Sequence, residues 1–297
     1  MGICENRVVV VTGAGAGIGR EHALEFARQG ARVVVNDVAD PAPVVKEIEE
    51  LGGEAVASTH DVGDWDQARQ LVHTALEAFG NVHTIVNNAG ILRDKMLVNM
   101  TVEQWDAVIR VHLRGTFCVT RHAVDHWRAM QKAGTPVAEP RIVNTSSPSG
   151  LFGNVGQCNY GAAKAAIASF TVIAADELSR LDVCVNAIAP TALTDMTAGL
   201  DAYVAHVRAE EERTGFDAGS PANIAPLVAY LGSGECVGIT GRVFTVKGGE
   251  IAVAETWVKG PARAKIGRWE VAEIGGMLPE LVASARPNTR IDGTPRS

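Results

Sequence analysis

The chain has 297 residues, 46% of them hydrophobic, which is enough for one large α/β domain or two small ones. Its net charge of −7 argues against a nucleic-acid-binding surface and against a basic membrane-binding patch. The apolar runs are shorter than the roughly 20 residues of a membrane span. The five cysteines lack the spacing of a zinc site, so we expect no metal and a reducing, cytoplasmic location.

Short β-branched runs alternate with helical patterns along the chain. The first run, at residues 7–12, lies so close to the N-terminus that we expect no signal peptide. Continuous apolar runs predict further strands at 31–37, 54–59, 84–88, 141–147, 182–189 and 241–246. Helical periodicity predicts helices at 20–29, 41–52, 64–79, 101–132, 159–180 and 221–232.

This alternation is typical of an α/β protein. It predicts a single-domain, Rossmann-like, doubly wound parallel sheet of seven strands with helices on both faces. Such folds bind their ligands at the carboxyl ends of the strands. Periodicity weakens after Lys247, so we assign residues 1–250 to this domain and residues 251–297 to a C-terminal extension that is partly irregular.

Glycines crowd the connection between the first strand and the first helix. They stand at Gly13, Gly17 and Gly19, with Ile18 between the last two. Glycines let the backbone approach a pyrophosphate, and a helix N-terminus offers free N–H groups and a positive dipole end. The spacing differs from the G-x-G-x-x-G pattern, and a turn that merely needs positive φ is the alternative. The position between a strand and a helix favours a dinucleotide-binding loop.

An acid ends the second strand at Asp37, 18 residues after Gly19 (37 − 19). An acid near this position takes the ribose 2′-hydroxyl of a dinucleotide and would repel a 2′-phosphate. The glycine loop also carries alanines where a cation could bind that phosphate. The predicted cofactor is therefore NAD, with NADP the less favoured alternative because Arg20 and Arg32 lie nearby in the sequence.

A tyrosine and a lysine stand four positions apart, at Tyr160 and Lys164, after two hydroxyls at Ser146 and Ser147. On a helix the tyrosine and the lysine share one face. A phenol beside an ammonium, with a serine converging from a strand end, can serve as an acid–base site. The pair alone also arises by chance, as a half-buried tyrosine and a solvated lysine. Its significance depends on the other motifs.

Taken together, these motifs resemble the short-chain dehydrogenase/reductase family, and the resemblance covers residues 6–250. The resemblance rests on the glycine loop, the Ser–Tyr–Lys set, Asp61-Val62, Asn87–Gly90 and Pro190-Thr191. The resemblance implies that Asp61 and Val62 bind adenine and that Asn88, Ala89 and Gly90 lie under the riboses. It implies that the nicotinamide is contacted by the stretch that begins at Pro190 and Thr191, where the family usually has Pro-Gly.

The resemblance also assigns the catalytic residues. Ser147 lies 13 residues before Tyr160 (160 − 147), which is the family's spacing, so it is the catalytic serine rather than Ser146 or Ser149. Tyr160 is the base, although a free tyrosine has a pKa near 10. The ammonium of Lys164 is expected to favour the phenolate and to bind the nicotinamide ribose.

His112 stands where the family usually has an asparagine that holds a proton-relay water. The histidine could keep the backbone role, its imidazole could join the relay, or it could be an ordinary packed helix residue. The stretch after Pro190 is one residue shorter than usual. These two features resemble the 3-hydroxyacyl-CoA dehydrogenase domains of peroxisomal multifunctional enzymes, a group that includes a 17β-hydroxysteroid dehydrogenase.

The expected activity is NAD-dependent oxidation of a secondary alcohol, most simply a 3-hydroxyacyl-CoA with a fatty or steroid-derived chain. A 3-oxoacyl carrier-protein reductase and a hydroxysteroid dehydrogenase are alternatives. An alternative of another class is a catalytically silent NAD-binding sensor or scaffold, although such relatives typically lose the tyrosine or the lysine. The family resemblance implies a homodimer or homotetramer, and it implies a substrate lid at residues 196–216.

Overall fold

One twisted sheet organises the chain, and its strands run through the middle of the fold. The computed structural model describes residues 2–194, 201–255, 257–291 and 293–295. In these ranges the strands are β1 Val8–Thr12, β2 Arg32–Asn36, β3 Glu54–Ser58, β4 Thr84–Asn87, β5 Arg141–Thr145, β6 Cys184–Thr191, β7 Val243–Lys247 and β8 Glu250–Ala254.

The strand order is β3-β2-β1-β4-β5-β6-β7-β8. The first seven strands are parallel, which confirms the predicted doubly wound α/β arrangement. The predicted count of seven needs one correction, because β8 adds an antiparallel edge strand to β7. The two strands are joined by Gly248 and Gly249, and a two-glycine turn is a typical hairpin connection. The division of the chain at residue 250 stays a prediction.

Helices cover both faces of the sheet. In the described part of the chain they are α1 Gly17–Arg28, α2 Ala42–Glu50, α3 Trp65–Phe79, α4 Val102–Ile109, α5 Gly115–Lys132, α6 Pro148–Phe152, α7 Cys158–Glu177, α8 Asp201–Thr214, α9 Ala225–Leu231 and α10 Val271–Ala283. A π-helical segment, Arg110–Arg114, joins α4 to α5. None of the described helices has the length and apolar character needed to cross a membrane.

The alternating side chains of the central strands divide the core into two layers. Val9 and Val11 of β1 pack in one layer with side chains of α1, α2 and α9. Val8 and Val10 pack in the other layer with side chains of α3, α5 and α7. All four valines are fully buried, as the continuous β-branched run predicts for a strand with both faces covered. This packing fixes the carboxyl ends of β1, β4, β5 and β6 side by side.

Candidate active site

A cleft of about 1000 Å³ opens at the carboxyl ends of the strands. Strand order reverses at β1, whose neighbours are β2 and β4, and ligands of doubly wound sheets bind at such a point. Every site residue predicted from the sequence lines this cleft: Gly13, Gly17, Ile18, Gly19, Asp37, Asp61, Val62, Asn88, Ala89, Gly90, His112, Ser147, Tyr160, Lys164, Pro190 and Thr191.

The glycine loop connects β1 to α1 and forms one end of the cleft. Gly13 and Gly17 have φ angles of +62° and +55°, which other residues rarely adopt. A Cβ atom on Gly13 would lie 2.7 Å from the Cα atom of Ala89, and one on Gly19 would lie 2.0 Å from the carbonyl oxygen of Gly13. The loop is therefore closed to larger side chains, and α1 begins at Gly17 without a side-chain cap. These features fit a pyrophosphate.

The carboxylate of Asp37 lies against the glycine loop. Its Oδ2 atom accepts a hydrogen bond from the backbone N–H of Gly15 at 3.0 Å, and its Oδ1 atom accepts one from Ala39 at 3.0 Å. Two backbone donors thus hold the acid at the end of β2. The charge beside the loop is negative, which suits a ribose with free hydroxyls better than a phosphorylated one.

Asp61 is paired with a cation that the sequence analysis did not single out. Its Oδ1 atom accepts a 2.8 Å hydrogen bond from the backbone of Gly63, and its Oδ2 atom binds the guanidinium of Arg110. Arg110 is the first residue of the π-helical segment and also lines the cleft. Val62 beside them is buried, and Gly115 leaves room for its side chain.

The side chain of Asn88 ties the end of β4 to the glycine loop. Its amide donates to the carbonyl oxygens of Thr12 and Gly13 at 3.0 and 3.1 Å. The hydroxyl of Thr12 in turn accepts from the backbone N–H groups of Asn88 and Ala89 at 3.0 and 3.1 Å. Asn88 therefore shapes the floor of the cleft by fixing two loops to each other. Thr12 shares this role, although sequence reasoning did not identify it.

The serine, the tyrosine and the lysine converge at the opposite end of the cleft. Ser147 follows β5, and its Oγ atom accepts a 3.1 Å hydrogen bond from the backbone of Ser149 at the start of α6. Tyr160 and Lys164 lie on the first turns of α7. The Nζ atom of Lys164 lies 5.6 Å from the centre of the Tyr160 ring and donates to the carbonyl oxygen of Thr145 at 2.6 Å.

The neighbouring hydroxyl of Ser146 has a different task. It is buried and donates a 2.8 Å hydrogen bond to the backbone carbonyl oxygen of Lys164. This bond fixes α7 against the end of β5. It also separates the two adjacent serines by role, since Ser147 is the hydroxyl that lowers the pKa of the Tyr160 phenol.

Burial opposes ionisation of both Tyr160 and Lys164. Burial raises the pKa of the Tyr160 phenol, hydrogen bonding to Ser147 lowers it, and the charge of Asp94 raises it further. Burial lowers the pKa of the Lys164 ammonium to about 7. Each charge alone is costly at this end of the cleft, and an ion pair of phenolate and ammonium reduces the cost of both.

His112 is held in a fixed orientation within the π-helical segment. Its Nε2 atom lies 3.0 Å from the backbone nitrogen and 2.8 Å from the backbone oxygen of Ile91. The ring stands edge-on to Tyr160, with centres 5.2 Å apart, and packs on Gly90, where a Cβ atom would lie 2.4 Å from it. Burial and the charge of Lys164 lower the pKa of His112 to about 3, so the imidazole is neutral at physiological pH.

A network of buried amides and hydroxyls joins the strands and helices next to Tyr160 and Lys164. Asn87 donates to Thr120 at 3.0 Å and to the side chain of Asn144 at 2.9 Å, and Asn144 donates to Thr171 at 2.9 Å. The network joins β4 and β5 to α5 and α7. Because buried polar groups are costly when unpaired, it favours one register of these elements. Its members are separated by tens of residues, so no local pattern reveals it.

The far wall of the cleft is formed by the end of β6. Pro190 and Thr191 pair with Val246 and Lys247 of β7 in the sheet, and Lys247 also lines the cleft. The predicted lid at 196–216 falls partly outside the described residues, which resume with α8 at Asp201–Thr214.

Comparisons with known proteins identify the family to which this chain is similar. The model of the short chain dehydrogenase family matches residues 7–204. The chain is 42% identical over 297 residues to hydroxyacyl-CoA dehydrogenase ChsB1 of Mycobacterium tuberculosis, covering 97% of this chain and 92% of that protein. It is 45% identical over 251 residues to the peroxisomal hydratase-dehydrogenase-epimerase of Saccharomyces cerevisiae. That match covers 82% of this chain and 26% of the yeast protein.

The fold is also similar to that of a solved structure. A short chain dehydrogenase from Mycobacterium avium superposes with a TM-score of 0.88 and 48% sequence identity, covering 97% of this chain and 99% of that one. The family motifs, the doubly wound sheet and these matches agree along most of the chain. The protein belongs to the short-chain dehydrogenase family of oxidoreductases.

Proposed function

We propose that the protein oxidises a secondary alcohol to a ketone with NAD, and that its substrate is a 3-hydroxyacyl-CoA with a fatty or steroid-derived chain. The observation that carries this proposal is one continuous cleft. It begins at the glycine loop and Asp37, and it ends at Ser147, Tyr160 and Lys164. A dinucleotide and a substrate alcohol need such a shared space, because hydride transfer requires contact between them.

The cofactor-binding residues suit NAD. The loop at Gly13, Gly17, Ile18 and Gly19 would hold the pyrophosphate, and Asp37 would accept the ribose hydroxyls. The adenine would lie near Asp61 and Val62, and the rest of the cofactor would be held by Asn88, Ala89, Gly90, Tyr160, Lys164, Pro190 and Thr191. When bound, NAD supplies a hydride acceptor, and the chain supplies the acid–base groups.

Tyr160 is the proposed base that removes the proton of the substrate hydroxyl. Since burial raises its pKa, the phenolate needs a partner, and the Lys164 ammonium lies 5.6 Å from the centre of its ring. Ser147 would donate a hydrogen bond to the substrate oxygen and stabilise the charge that develops there. The three groups thus hold the oxygen, take its proton and stabilise the resulting negative charge.

His112 is proposed to act in the site as a neutral group. With its pKa lowered to about 3, the imidazole does not gain or lose a proton between pH 5 and pH 9. Its Nδ1 atom is buried without a hydrogen-bond partner in the described chain, while the ring lines the cleft. We expect Nδ1 to hold the relay water by a hydrogen bond. If His112→Ala keeps the native kcat, the imidazole has no part in the relay.

The substrate class draws support from the names of the relatives. The mycobacterial relative is called a hydroxyacyl-CoA dehydrogenase, and the yeast relative is called a peroxisomal hydratase-dehydrogenase-epimerase. The test is NADH production with 3-hydroxyacyl-CoA esters of increasing bulk, run beside free hydroxysteroids. Turnover of the esters and not of the free steroids supports the proposal. Turnover of the free steroids alone would favour a hydroxysteroid dehydrogenase.

Two alternatives make different demands on the cofactor. A 3-oxoacyl carrier-protein reductase would favour NADPH, which the charge of Asp37 opposes, so steady-state rates with the two reduced cofactors separate the reactions. A silent sensor or scaffold would bind NAD without turnover on any substrate of the panel. Retention of Tyr160 and Lys164 at the cleft favours an enzyme.

We also propose that the protein is a homodimer or homotetramer. Apolar side chains lie exposed on the outer faces of α5 and α7, at Phe117 and Ile173, and on β8, at Ile251 and Val253. Trp257 after β8 is 94% exposed, and large exposed apolar patches commonly mark interfaces. Light scattering of the purified protein tests the oligomeric state. The predicted cytoplasmic location stays a prediction.

A further inference from the structure

A short segment after β4, residues 93–95, forms hydrogen bonds with the start of α7, the helix that carries Tyr160. The backbone oxygen of Arg93 accepts a 3.0 Å hydrogen bond from the side chain of Asn159. The backbone nitrogen of Lys95 donates to the oxygen of Gly156 at 2.9 Å, within an isolated β-bridge to Gln157. We call residues 93–95 the clamp.

The middle residue of the clamp adds a charged contact. The Oδ2 atom of Asp94 accepts a 2.6 Å hydrogen bond from the side-chain amide of Gln157, whose oxygen accepts from Asn154 at 3.1 Å. Asp94 and Gln157 also line the cleft beside Tyr160. This hydrogen bond is solvent-exposed, and the charged acceptor strengthens it relative to a neutral pair.

These contacts replace an ordinary helix cap. Helix α7 begins at Cys158, and its N-cap residue Gln157 makes no side-chain hydrogen bond to the helix. The first backbone N–H groups of a helix need partners, and here the side chain of Asn159 accepts from the N–H of Tyr160 at 2.8 Å. Asn159 is fully buried, and its amide donates to the backbone oxygens of Arg93 at 3.0 Å and Gln104 at 3.3 Å. The first turn of α7 is therefore held by contacts from outside the helix. Gln157, the residue that binds Asp94, lies three residues before Tyr160.

We infer that Asp94 is a positioning residue that seats Tyr160 through its hydrogen bond to Gln157, and that its carboxylate, which lines the same cleft, opposes ionisation of the phenol. This rests on the proposed role of Tyr160 as the base. Among the described titratable groups around Tyr160, Lys164 lies on the same helix, His112 faces it from the π-helical segment, and Asp94 faces it from the loop after β4. Lys164 favours the phenolate and Asp94 opposes it, so the two set the pH at which the base ionises.

Substitutions of Asp94 by Asn and by Ala separate the effect of its hydrogen bond to Gln157 from the effect of its charge. Asp94→Asn keeps an oxygen that accepts from Gln157 and removes the negative charge. Its maximal kcat should stay within about threefold of the native value, because a neutral hydrogen bond still holds the clamp. The rising limb of kcat against pH should move to lower pH by roughly half a unit, because the phenolate no longer faces a like charge.

Asp94→Ala and Gln157→Ala both remove the Asp94–Gln157 contact, and Gln157→Ala leaves the charge. We expect each to lower kcat about tenfold or more, as misplacement of a catalytic group does. Gln157→Ala should leave the pH of the rising limb in place. Asp106→Asn is the matched control, since Asp106 is an exposed acid on α4, and its pH profile should be native. Thermal unfolding of each variant shows that it is folded.

An unmoved pH profile for Asp94→Asn would overturn the role of the charge. Native kcat in both Asp94→Ala and Gln157→Ala would overturn the positioning role. Tyr160→Phe, assayed in parallel, distinguishes these failures from failure of the proposed function. If Tyr160→Phe keeps turnover, Tyr160 is not the base and the proposed function fails. If Tyr160→Phe is inactive while the Asp94 variants behave as native, only the clamp is refuted.

Discussion

At the proposed catalytic end of the cleft Lys164 is 3% exposed, whereas at the proposed adenine end the side chains of Asp61 and Arg110 are 27% and 46% exposed. The catalytic end is held by buried hydrogen bonds among β4, β5, α5 and α7, and burial shifts the pKa values of its titratable groups. The adenine end is held by backbone donors and a half-exposed ion pair. Substitutions at the buried end should therefore change the rate of chemistry, and those at the exposed end should change cofactor affinity and choice.

The largest expected effect is that of Tyr160→Phe. This substitution keeps the ring and removes the proposed base, so kcat should fall about 10³-fold, within the range of acid–base catalysis. The Kd for NADH should stay within about threefold, because the phenol contributes one hydrogen bond at most to cofactor binding. Steady-state kinetics and fluorescence titration measure the two quantities.

Tyr230→Phe is the matched control, since Tyr230 lies on α9 away from the cleft. It should have native kcat and native affinity. Loss of NADH binding in Tyr160→Phe would contradict the separation of the two ends. Substantial turnover by Tyr160→Phe would remove Tyr160 from the mechanism.

The next effect in size is a change of cofactor preference at Asp37. Asp37→Asn keeps an oxygen for the N–H groups of Gly15 and Ala39 and removes the charge that repels a 2′-phosphate. The ratio of kcat/KM for NAD to that for NADP should fall about 10- to 100-fold, since charges a few ångströms apart interact by a few kcal/mol at most near a surface. The maximal kcat with NAD should stay near the native value. An unchanged ratio would show that Asp37 does not select the cofactor.

The backbone of the site could be predicted from the sequence because its signals are local. Runs such as Val8–Thr12 predict a buried strand without knowledge of its neighbours, and the glycine loop follows directly in the chain. The predicted strands agree with the observed ones to within about two residues at most ends. The antiparallel strand Glu250–Ala254 was missed, although Gly248 and Gly249 carried the turn signal for it.

The side-chain environment could not be predicted in this way. The pair of Asp61 and Arg110 joins residues 49 positions apart, and the contact of Asp94 with Gln157 spans 63 positions. The pKa values of Lys164 and His112 depend on burial, which arises only when distant elements pack together. Family resemblance named the residues of the cleft, but it did not reveal which of them are already paired.

A third expected effect concerns stability at the catalytic end. Burial lowers the pKa of Lys164 from its ordinary 10.5 to about 7, so between these pH values the unfolded chain binds more protons than the folded one. Stability should therefore rise with pH through this range. Lys164→Met removes the buried charge and should raise the free energy of unfolding by about 1–3 kcal/mol below pH 7.

The gain should shrink as the pH rises from about 7 towards 10, because the lysine of the folded protein is then already neutral and that of the unfolded chain progressively loses its proton too. Urea unfolding of the cofactor-free protein at two pH values measures it. Lys46→Met, which removes an exposed lysine, should show no such dependence on pH. A Lys164→Met variant that is less stable than the native protein at every pH would mean that the hydrogen bond to Thr145 outweighs the cost of burying the charge.

The smallest expected effect is that of Arg110→Gln at the adenine end. The substitution removes the partner that holds the Asp61 carboxylate, and a half-exposed ion pair contributes about 0.2–1 kcal/mol, so the Kd for NADH should rise roughly two- to fivefold. The Kd for the mononucleotide NMNH, which lacks the adenosine, should not change. Tighter binding of NADH by this variant would mean that Arg110 competes with adenine for Asp61. An equal loss for both nucleotides would place the effect of Arg110 at the catalytic end, through the π-helical segment that also holds His112.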